Sequence, residues 1–305
     1  MKRSIALLLM LIILLSSAAA SARSAYGKHI GVAGEYIVAV QKDGTVKAAG
    51  DNTYGQCNTT AWREVVAVSC TFYYVLGLRA DGTVYAVGDN EDGQCEVSGW
   101  KDITMVVATE DCSFGLKSNG TIIWAGELEE KDKKEIMQWK DIVWIGYRWR
   151  NSLFAIDKHG NAYGVDEDFS RLENVVQVQE DALNIVEFLL ADGTMNSLAY
   201  RAGDVANWKG TRFDDLVEIA YAGSTFMGLK RDGTVISDSV LPYFSEWRDV
   251  VEVDGGFGVM SNGAIVMDKA YAKNFTIEQL AKISTWKVMV NPDTIPMPAS
   301  QTNTP

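Results

Sequence analysis

The chain has 305 residues, of which 40 are acidic and 28 are basic, and its formal net charge is −12. A surface this acidic repels phosphate backbones, so nucleic-acid binding is disfavoured. The length fits either two ordinary domains or one large β-architecture, and the periodicity of the sequence has to decide between them.

Residues 1–22 have the pattern of a signal peptide. Two basic residues precede an apolar run from Ile5 to Leu15, and small residues follow up to Ala22. The apolar run is too short to span a bilayer comfortably. We therefore expect a soluble mature chain that begins near Arg23 and is secreted or otherwise extracytoplasmic.

A turn signature, Asp-Gly-Thr or a close variant, occurs seven times after the signal peptide. Its glycines are 38, 38, 40, 33, 40 and 30 residues apart, a range that is typical of propeller blades. Glycine supplies the positive φ of a tight hairpin, and we expect a two-residue turn at each copy. The seven glycines are Gly44, Gly82, Gly120, Gly160, Gly193, Gly233 and Gly263.

A large apolar residue stands upstream of each later turn, followed by charged or polar residues and then by β-branched ones. We interpret these residues as wedges that pack neighbouring units together, and not as a sugar-binding platform. The positions are Trp62, Trp100, Trp139, Leu172, Phe213 and Trp247.

Each unit is predicted to contain three short strands. In the second unit they begin at Val65, Tyr74 and Thr83, and we expect the valine-rich first strand to be buried on both faces. One such sheet cannot bury its faces alone, but seven can close into a ring. The sequence therefore predicts an all-β fold, a seven-bladed β-propeller with short, three-stranded blades over residues 23–290.

The predicted strand order puts all seven Asp-Gly hairpins on one side of the ring, which we call the hairpin face. The first-to-second turns and the links between units lie on the opposite side, which we call the connection face. The connection face varies most in sequence and length. Variable loops on a rigid frame are the usual arrangement for recognition, so binding is expected there.

The C-terminal part departs from the repeat. Residues 275–283 have helical spacing and predict a short helix in the seventh unit. Residues 286–290 copy the opening strand of a unit with no hairpin after them, and we expect them to lie beside the first unit as a clasp. Residues 291–305 are rich in Pro, Thr and Ser and are predicted to be a disordered tail.

Catalytic signals are weak. The only two histidines are His29, just before the first strand, and His159, in a hairpin turn. Neither has a partner at the spacing of a catalytic triad, and no phosphate loop is present. We predict no catalytic residue and no cofactor. A propeller glycosidase would take its acid and base from different blades, so glycoside processing stays an alternative.

Two connections read Gly-Asp-Asn-x-x-Gly-Gln-Cys, one from Gly50 to Cys57 and one from Gly88 to Cys95. The second resembles a calcium loop, because Glu91 and Asp92 stand at its variable positions. The first has Thr and Tyr there and keeps the same frame. We therefore predict a structural turn and no metal site.

The four cysteines leave disulfide pairing open. Cys57 and Cys95 are repeat equivalents in neighbouring blades, which is too far for a bond. Pairing of Cys57 with Cys70, or of Cys95 with Cys112, is conceivable, as is no pairing at all.

The best candidates for partner binding are side chains that the fold does not need. Aromatic and arginine side chains dominate protein interfaces, and predicted turns contain Tyr54, Phe72, Tyr73, Tyr147, Arg148 and Trp149. An acidic rim suited to a basic patch on a partner would come from Glu91, Asp92, Glu110, Asp111, Glu180 and Asp181.

The second unit contains Trp62, Val65-Val66-Ala67-Val68, Gly77-Leu78, Asp81-Gly82-Thr83-Val84, Gly88, Asn90 and Gly93-Gln94. This pattern resembles the short bacterial form of the RCC1-type propeller repeat, and weaker copies extend from Ile30 to Val290. Within that family the chain is most similar to secreted propellers that bind and inhibit β-lactamases through loops on one face. The resemblance implies a protein-binding ring and leaves its target open.

One departure concerns a histidine that many family repeats have before the second strand. The matching positions are Tyr36, Tyr74, Cys112, Ser152, Ile185, Thr225 and Gly255. Exchange-factor and chromatin roles of the family disagree with export and acidity. We expect a monomeric, non-catalytic protein binder that inhibits or scaffolds an extracytoplasmic protein. The alternatives are a carbohydrate-binding or glycoside-processing propeller and an envelope scaffold.

Overall fold

The computed structural model describes residues 27–148, 152–165, 169, 172–180, 185–201, 204–208, 213–222, 225–237, 244 and 246–290. The predicted signal peptide and the predicted C-terminal tail lie outside the described residues.

The described residues form seven antiparallel sheets, each made of strands that are consecutive in the chain. Six sheets have three strands and the fifth has four. Blades 1 to 4 are β1 (Ile30–Ala33), β2 (Tyr36–Val40) and β3 (Val46–Gly50); β4 (Val65–Cys70), β5 (Tyr74–Arg79) and β6 (Val84–Gly88); β7 (Ile103–Ala108), β8 (Cys112–Lys117) and β9 (Ile122–Gly126); and β10 (Ile142–Arg148), β11 (Ser152–Asp157) and β12 (Ala162–Gly164). Blades 5 to 7 are β13 (Val175–Glu180), β14 (Ile185–Leu190), β15 (Met195–Arg201) and β16 (Asp204–Trp208); β17 (Leu216–Ala222), β18 (Thr225–Lys230) and β19 (Val235–Ser237); and β20 (Val250–Asp254), β21 (Phe257–Met260) and β22 (Ile265–Met267).

The sheets are arranged as a closed ring. The first strand of each blade contacts the first strand of the next, in the order β1, β4, β7, β10, β13, β17, β20 and back to β1. These strands line a central channel with a volume of about 280 Å³. The predicted seven-bladed propeller is confirmed.

The burial of the strands differs between blades. All five residues of β2 are buried, as are five of the six in β5, whereas only three of the six in β4 are. The expectation that the first strand is buried on both faces was wrong for β4 but agrees with β7, in which five of six residues are buried. First strands border the channel, and their apolar content reflects packing against neighbouring blades.

The Asp-Gly hairpins have three-residue loops, so the expectation of a two-residue turn was also wrong. In blade 1 the Gln41 N–H donates to the Thr45 carbonyl (2.8 Å), and the Gly44 N–H donates to the Gln41 carbonyl (2.9 Å). Gly44 has a φ of 73°, which is the usual way in which a loop of this length rejoins its strand. The Asp43 carboxylate accepts from the Thr45 N–H (3.0 Å) and hydroxyl (2.6 Å).

Each hairpin is bonded to the next blade. The Gly44 carbonyl accepts from the Val65 N–H (3.0 Å), which places the hairpin against Glu64. Glu64 has a φ of 59°, a region that Asp and Asn tolerate better than most residues. This backbone conformation accounts for the polar residue before each first strand. The equivalent positive-φ residues are Asp102, Asp141, Asn174, Asp215 and Asp249.

The tryptophan wedges explain the Gly-Leu pairs of the middle strands. A Cβ on Gly77 would lie 2.6 Å from the Trp62 ring, so only glycine leaves room for the indole. Blade 5 has the reverse arrangement, because the position of the tryptophan holds Leu172 and that of the glycine holds Phe188. The predicted wedge role of Trp62 is confirmed.

The ring is closed by residues from both ends of the described chain. The Val288 N–H donates to the Gly263 carbonyl (2.9 Å), which repeats the bond between hairpin and next blade seen elsewhere. The Met289 N–H donates to Val40 (2.8 Å), and Ile30 pairs with the adjacent residue, Ala39. Residues 288–290 and β1 therefore share the first-strand position of blade 1. The predicted clasp is confirmed.

Side chains cap the exposed edge of several first strands. In each case the acceptor comes from one blade and the N–H from the next. The pairs are Met105 Sδ with Ile145 (3.4 Å), Gln177 Oε1 with Ile219 (2.9 Å), Glu218 Oε2 with Val253 (3.3 Å) and Glu252 Oε1 with Ile30 (2.9 Å). The channel wall is thus tied together blade by blade.

The described residues include three short helices in the connections: α1 (Glu130–Ile136), α2 (Lys269–Ala272) and α3 (Ile277–Ile283). The predicted helix over 275–283 is confirmed as α3, which begins with a capping box between Thr276 and Gln279. In the part of the chain described here, no helix is both long and apolar enough to cross a membrane.

Candidate functional site

The connection face of blades 1 to 3 is one continuous surface. Each third strand leaves its blade beside the first-to-second turn, as in the bonds from Asp51 N–H to Glu35 (3.0 Å) and from Asp89 N–H to Tyr73 (3.1 Å). The residues of this surface include ten carboxylates, and Lys131 Nζ at its border lies 3.8 Å from Oε2 of one of them, Glu129. We call this surface the acidic–aromatic surface, and it comprises residues 34–35, 51–58, 71–73, 89–97, 109–111 and 127–129.

The first connection is a rigid turn built around Gln56, whose side chain is fully buried. The Gln56 amide donates to Asp51 Oδ2 (3.1 Å) and to the Phe72 carbonyl (3.3 Å), and its oxygen accepts from the Tyr54 N–H (2.9 Å). Asn52 Oδ1 accepts from the backbone of Cys57 (2.7 Å). The backbone that presents Tyr54 is therefore held in place.

The second connection repeats this geometry. The Gln94 amide donates to Asp89 Oδ2 (3.2 Å), its oxygen accepts from the Asp92 N–H (3.0 Å), and Asn90 Oδ1 accepts from Cys95 (2.7 Å). The polar groups common to both copies are thus used inside the turn, as the structural interpretation predicts. Among the described residues, no group of three or more His, Cys, Asp or Glu side chains is arranged to hold a metal ion.

Three aromatic side chains that the sequence placed in separate turns come together. Tyr54, Phe72 and Tyr73 are 49%, 59% and 38% exposed. The Tyr54 and Tyr73 ring centroids are 5.2 Å apart at an interplanar angle of 81°, and those of Phe72 and Tyr73 are 6.2 Å apart. Phe72 also lies on the backbone of Gly34, where a Cβ would approach its ring to 2.7 Å. We call these three side chains the aromatic triad.

The acidic candidates are less uniform. Glu91 and Asp92 are exposed in the second connection, as predicted. Glu110 and Asp111 lie in the turn between β7 and β8 and are half-buried. Glu180 is the last residue of β13 and does not lie in a turn, and Asp181 is outside the described residues.

The remaining candidates differ from the prediction. The backbone of Tyr147 and Arg148 belongs to β10, where these residues pair with Leu153 and Ser152, so the predicted turn position was wrong for both. The first strand here has seven residues against six in β4, so it includes Tyr147 at the position of Cys70 and extends one residue further to Arg148. Trp149 lies outside the described residues.

Two buried tyrosines at the start of middle strands, Tyr36 and Tyr74, connect this surface to the neighbouring blades. The Tyr36 hydroxyl donates to the Thr71 carbonyl in blade 2. The Tyr74 hydroxyl donates to the Cys112 carbonyl in blade 3 (2.8 Å) and accepts from the Thr109 N–H (3.2 Å). Burial raises the pKa of both phenols, so they stay protonated donors. Sequence reasoning noted both residues without finding this role.

Comparison with known proteins agrees with this geometry. Residues 65–94 match the Regulator of chromosome condensation (RCC1) repeat. This segment is similar to an RCC1 repeat. It spans blade 2 and the second connection, and the chain is a seven-bladed propeller that contains it.

Solved structures show the same fold at low sequence identity. Human WBSCR16 is 14% identical, with 68% of this chain and 75% of that chain covered and a TM-score of 0.51. Prp20p from Saccharomyces cerevisiae is 15% identical, with 68% and 70% covered and a TM-score of 0.51. The CRINKLY WD40 ectodomain of the Arabidopsis thaliana receptor kinase ACR4 is 12% identical, with 83% and 96% covered and a TM-score of 0.53. No curated protein sequence matches the chain significantly.

The four cysteines of the propeller are free thiols. The Cys57 thiol donates to the Asp51 carbonyl and the Cys95 thiol donates to Asp89, both at 3.1 Å. Burial raises the pKa of both thiols to about 11. They are therefore weak nucleophiles at neutral pH and serve as part of the turn.

A second group of charges lies in the channel of the propeller, where blades 6, 7 and 1 meet. Lys28 Nζ is 2.8 Å from Asp254 Oδ1 and 3.4 Å from Glu218 Oε1. His29 Nδ1 is 2.8 Å from Glu252 Oε2. These pairs join residues that are far apart in sequence, so no local pattern revealed them. The carboxylates also cap backbone N–H groups, which makes this cluster part of the ring closure.

The channel charges shift each other's titration. Burial opposes the charge of Lys28, but Asp254 and Glu218 outweigh it and raise the lysine pKa. Burial likewise opposes protonation of His29, and Glu252 more than compensates, so the His29 pKa is raised. The other histidine, His159, is exposed in the hairpin of blade 4.

Proposed function

We propose that this chain is an exported, monomeric, non-catalytic propeller that binds an extracytoplasmic protein through its acidic–aromatic surface. The observation that carries the proposal is the aromatic triad, three exposed rings packed together on a surface whose residues include ten carboxylates. The partner would carry a basic patch.

Three physical arguments support protein binding. Aromatic side chains are enriched among the residues that contribute most to interface affinity. Charged groups of one sign favour a partner of the opposite sign and accelerate encounter. The buried Gln56 and Gln94 frames fix the loop backbones before binding, which lowers the entropic cost of ordering them.

Two further arguments support the setting. The pattern of residues 1–22 favours export. Prp20p, which has this fold, binds Gsp1p and histones, so a propeller of this shape is compatible with protein binding. Inhibition of an extracytoplasmic enzyme is the sharpest form of the proposal, and it is supported by the resemblance to β-lactamase-inhibitory propellers.

The proposal is tested by affinity capture from the secreted and envelope fractions of the producing cells. Wild type and Tyr73→Ala are immobilised side by side, with Val143→Ala as a control because Val143 is 47% exposed on β10, outside the acidic–aromatic surface. We expect one protein to be retained by wild type and control, to be released by salt, and to be depleted about tenfold or more on Tyr73→Ala. Recovery of polysaccharide alone would contradict protein binding and favour the carbohydrate alternative.

The inhibitory form has a separate test. If the captured partner is an enzyme, its activity is measured while the purified propeller is titrated to saturation. We expect activity to fall in step with occupancy. Full activity at saturation would exclude inhibition and leave a scaffolding role.

A further inference from the structure

The aromatic triad is an apolar surface that the described residues leave uncovered. Its three rings pack against one another, yet each side chain is more than a third exposed. Among the residues that the structure describes, none forms a hydrogen bond with the hydroxyl of Tyr54 or of Tyr73. A segment that covers the triad therefore has to offer apolar groups to the rings and acceptors to the two hydroxyls.

The residues after Val290 have a composition that fits this surface. Four of the five prolines of the chain belong to residues 291–305, which contain no lysine or arginine. The large apolar residues of this stretch are Ile295 and Met297, and each is followed by a proline. We call Ile295-Pro296-Met297-Pro298 the proline segment.

The proline segment matches both requirements of the triad. Proline fixes its own φ and favours an extended conformation in the residue before it, so the sequence favours an extended chain at both pairs. An extended chain of this kind has no internal hydrogen bonds, which leaves its carbonyls available to tyrosine hydroxyls. Aromatic-lined surfaces bind such segments with little loss of conformational entropy, and a methionine thioether packs well against rings.

The last described residues direct the chain toward the side of the ring on which the triad lies. Val288 pairs with Gln41 in antiparallel orientation, and the Met289 N–H donates to the Val40 carbonyl (2.8 Å). These residues therefore run antiparallel to β2. Since β2 begins at the connection face and ends at the hairpin face, the chain that follows Met289 is directed toward the connection face.

The distance to the triad is within reach of the proline segment. Ile30 pairs with Ala39, so the chain leaves the edge of β2 at Val290, which lines the channel. The length of β2 that separates this point from the connection face is about 13 Å at 3.3 Å per residue. Phe72 lies there against Gly34. Six residues of extended chain cover about 19 Å at 3.1 Å per residue, so residues 291–296 can span the gap.

We propose that the proline segment binds the aromatic triad of its own chain and that a partner protein has to displace it. The intramolecular contact stands on the triad and on the direction of the chain, whereas the displacement rests on the proposed function. The contact covers rings that would otherwise favour non-specific association. Because residues 291–305 have no basic side chain, this contact should be insensitive to salt, unlike that of a partner with a basic patch.

The probe for this proposal is a synthetic peptide of residues 291–300 with capped ends. It is titrated against the full-length exported protein in which the proline segment is replaced (Ile295→Ser, Pro296→Ser, Met297→Ser, Pro298→Ser), which we call the tail variant. A short flexible tether gives an effective concentration of about 1 mM, so intramolecular binding requires a Kd of about 1 mM or tighter for the free peptide. Chemical-shift titration of the isotope-labelled protein measures this Kd.

Substitutions in the triad and in the peptide locate the contact. Phe72→Ser or Tyr73→Ser in the tail variant should weaken binding by about tenfold or more. Val143→Ser is the matched control, because Val143 is exposed on β10 outside the acidic–aromatic surface, and it should leave the Kd unchanged. A peptide with Pro296→Ala and Pro298→Ala should bind more weakly than the natural one.

Wild type tests whether the contact forms within one chain. Its own proline segment competes with the peptide, so wild type should bind the peptide at least about twofold more weakly than the tail variant. A Kd well above 1 mM, equal binding to wild type and tail variant, or equal binding to the triad variants would each overturn the intramolecular contact.

Partner capture tests the displacement. The tail variant should retain at least about twofold more of the captured protein than wild type when the bait is limiting, and equal retention would overturn the displacement. In every case, a captured protein that is lost on Tyr73→Ala would still support the proposed function. Failure of the intramolecular contact is therefore distinguishable from failure of the surface as a binding site.

Discussion

His29 fastens the start of β1 to blade 7 through both oxygens of one carboxylate. Its N–H donates to Glu252 Oε1 (2.8 Å), and its ring nitrogen lies 2.8 Å from Glu252 Oε2. Burial raises the cost of ionising Glu252, but His29 and the bonded N–H groups outweigh it, so the Glu252 pKa is lowered from 4.5. The two residues thus favour each other's charged forms.

The pair makes the free energy of unfolding depend on pH on both the acidic and the alkaline side. The raised His29 pKa adds stability that is complete below its ordinary value of 6.5 and is lost as pH rises through the raised value. The lowered Glu252 pKa adds stability that is present above 4.5 and is lost as pH falls through the lowered value. Both contributions are complete between pH 4.5 and pH 6.5, so we expect the free energy of unfolding to be largest in that range. Denaturant titration at a series of pH values measures it.

Substitution of His29 isolates the alkaline side of this profile. His29→Gln should lower the free energy of unfolding near pH 6 by about 1.5–3 kcal/mol, the range for a hydrogen bond to a charged group, and should flatten the decline at higher pH. His159→Gln, in an exposed hairpin, should change neither. An unaltered alkaline decline in His29→Gln would show that another group is responsible.

At the scale of elements, the contact between wedge and middle strand is the repeated packing unit. A Cβ at Gly77 would lie 2.6 Å from the Trp62 ring, so Gly77→Ala should lower the free energy of unfolding by roughly 1–3 kcal/mol through overpacking. Gly99→Ala is the matched control, because nothing lies within 4 Å of a Cβ at that glycine. Denaturant midpoints measure both.

A double-mutant cycle tests whether the indole is the cause. Trp62→Leu leaves space next to Gly77, just as Leu172 leaves space for Phe188 at the equivalent positions of blade 5. In the Trp62→Leu background, Gly77→Ala should therefore lower the free energy of unfolding by less than it does in wild type. If Gly77→Ala lowers the free energy of unfolding equally with and without the indole, contact with Trp62 is not the cause of the destabilisation.

Much of each blade was readable from sequence, because hairpins and wedges are local and repeated. The hairpin glycines predicted the positions of the turns correctly. The loop length depends on which residues form the last backbone hydrogen bond between the strands, and that bond joins Gln41 and Thr45, which leaves three residues in the loop instead of two. Helix α1 has charged residues at six of its seven positions, so its sequence lacks the apolar periodicity by which a helix is predicted. Tyr147 and Arg148 were assigned to a turn because residue type alone does not show where a strand ends.

The site was only partly readable for a related reason. Tyr54, Phe72 and Tyr73 were each identified as turn residues, but their mutual contact depends on how one blade's connection meets the next blade's turn. The ion pairs of Lys28 and His29 depend on ring closure, which brings Lys28 to Asp254, 226 positions away, and His29 to Glu252, 223 positions away. Such distances exceed any window in which periodicity carries information.

At the scale of the whole molecule, the seam of the ring depends on Trp286. This side chain is 1% exposed and belongs to the core between blades 7 and 1. Trp286→Ala should lower the free energy of unfolding by about 3–5 kcal/mol, the usual cost of removing a buried aromatic side chain. Ile277→Ala, at a position that is 88% exposed on α3, should have little effect. A small effect of Trp286→Ala would mean that the ring stays closed without the clasp.

The shared strand position in blade 1 also governs how the molecule bears mechanical load. Met289 and Ile30 bond to adjacent residues of β2, Val40 and Ala39, so a force applied between these two segments has a short path through the seam. The other six blades lie outside that path and carry little tension. The propeller should therefore yield first at blade 1 when pulled from both ends, by shearing a few strand bonds, while the surface on blades 2 and 3 keeps its shape until the seam has parted.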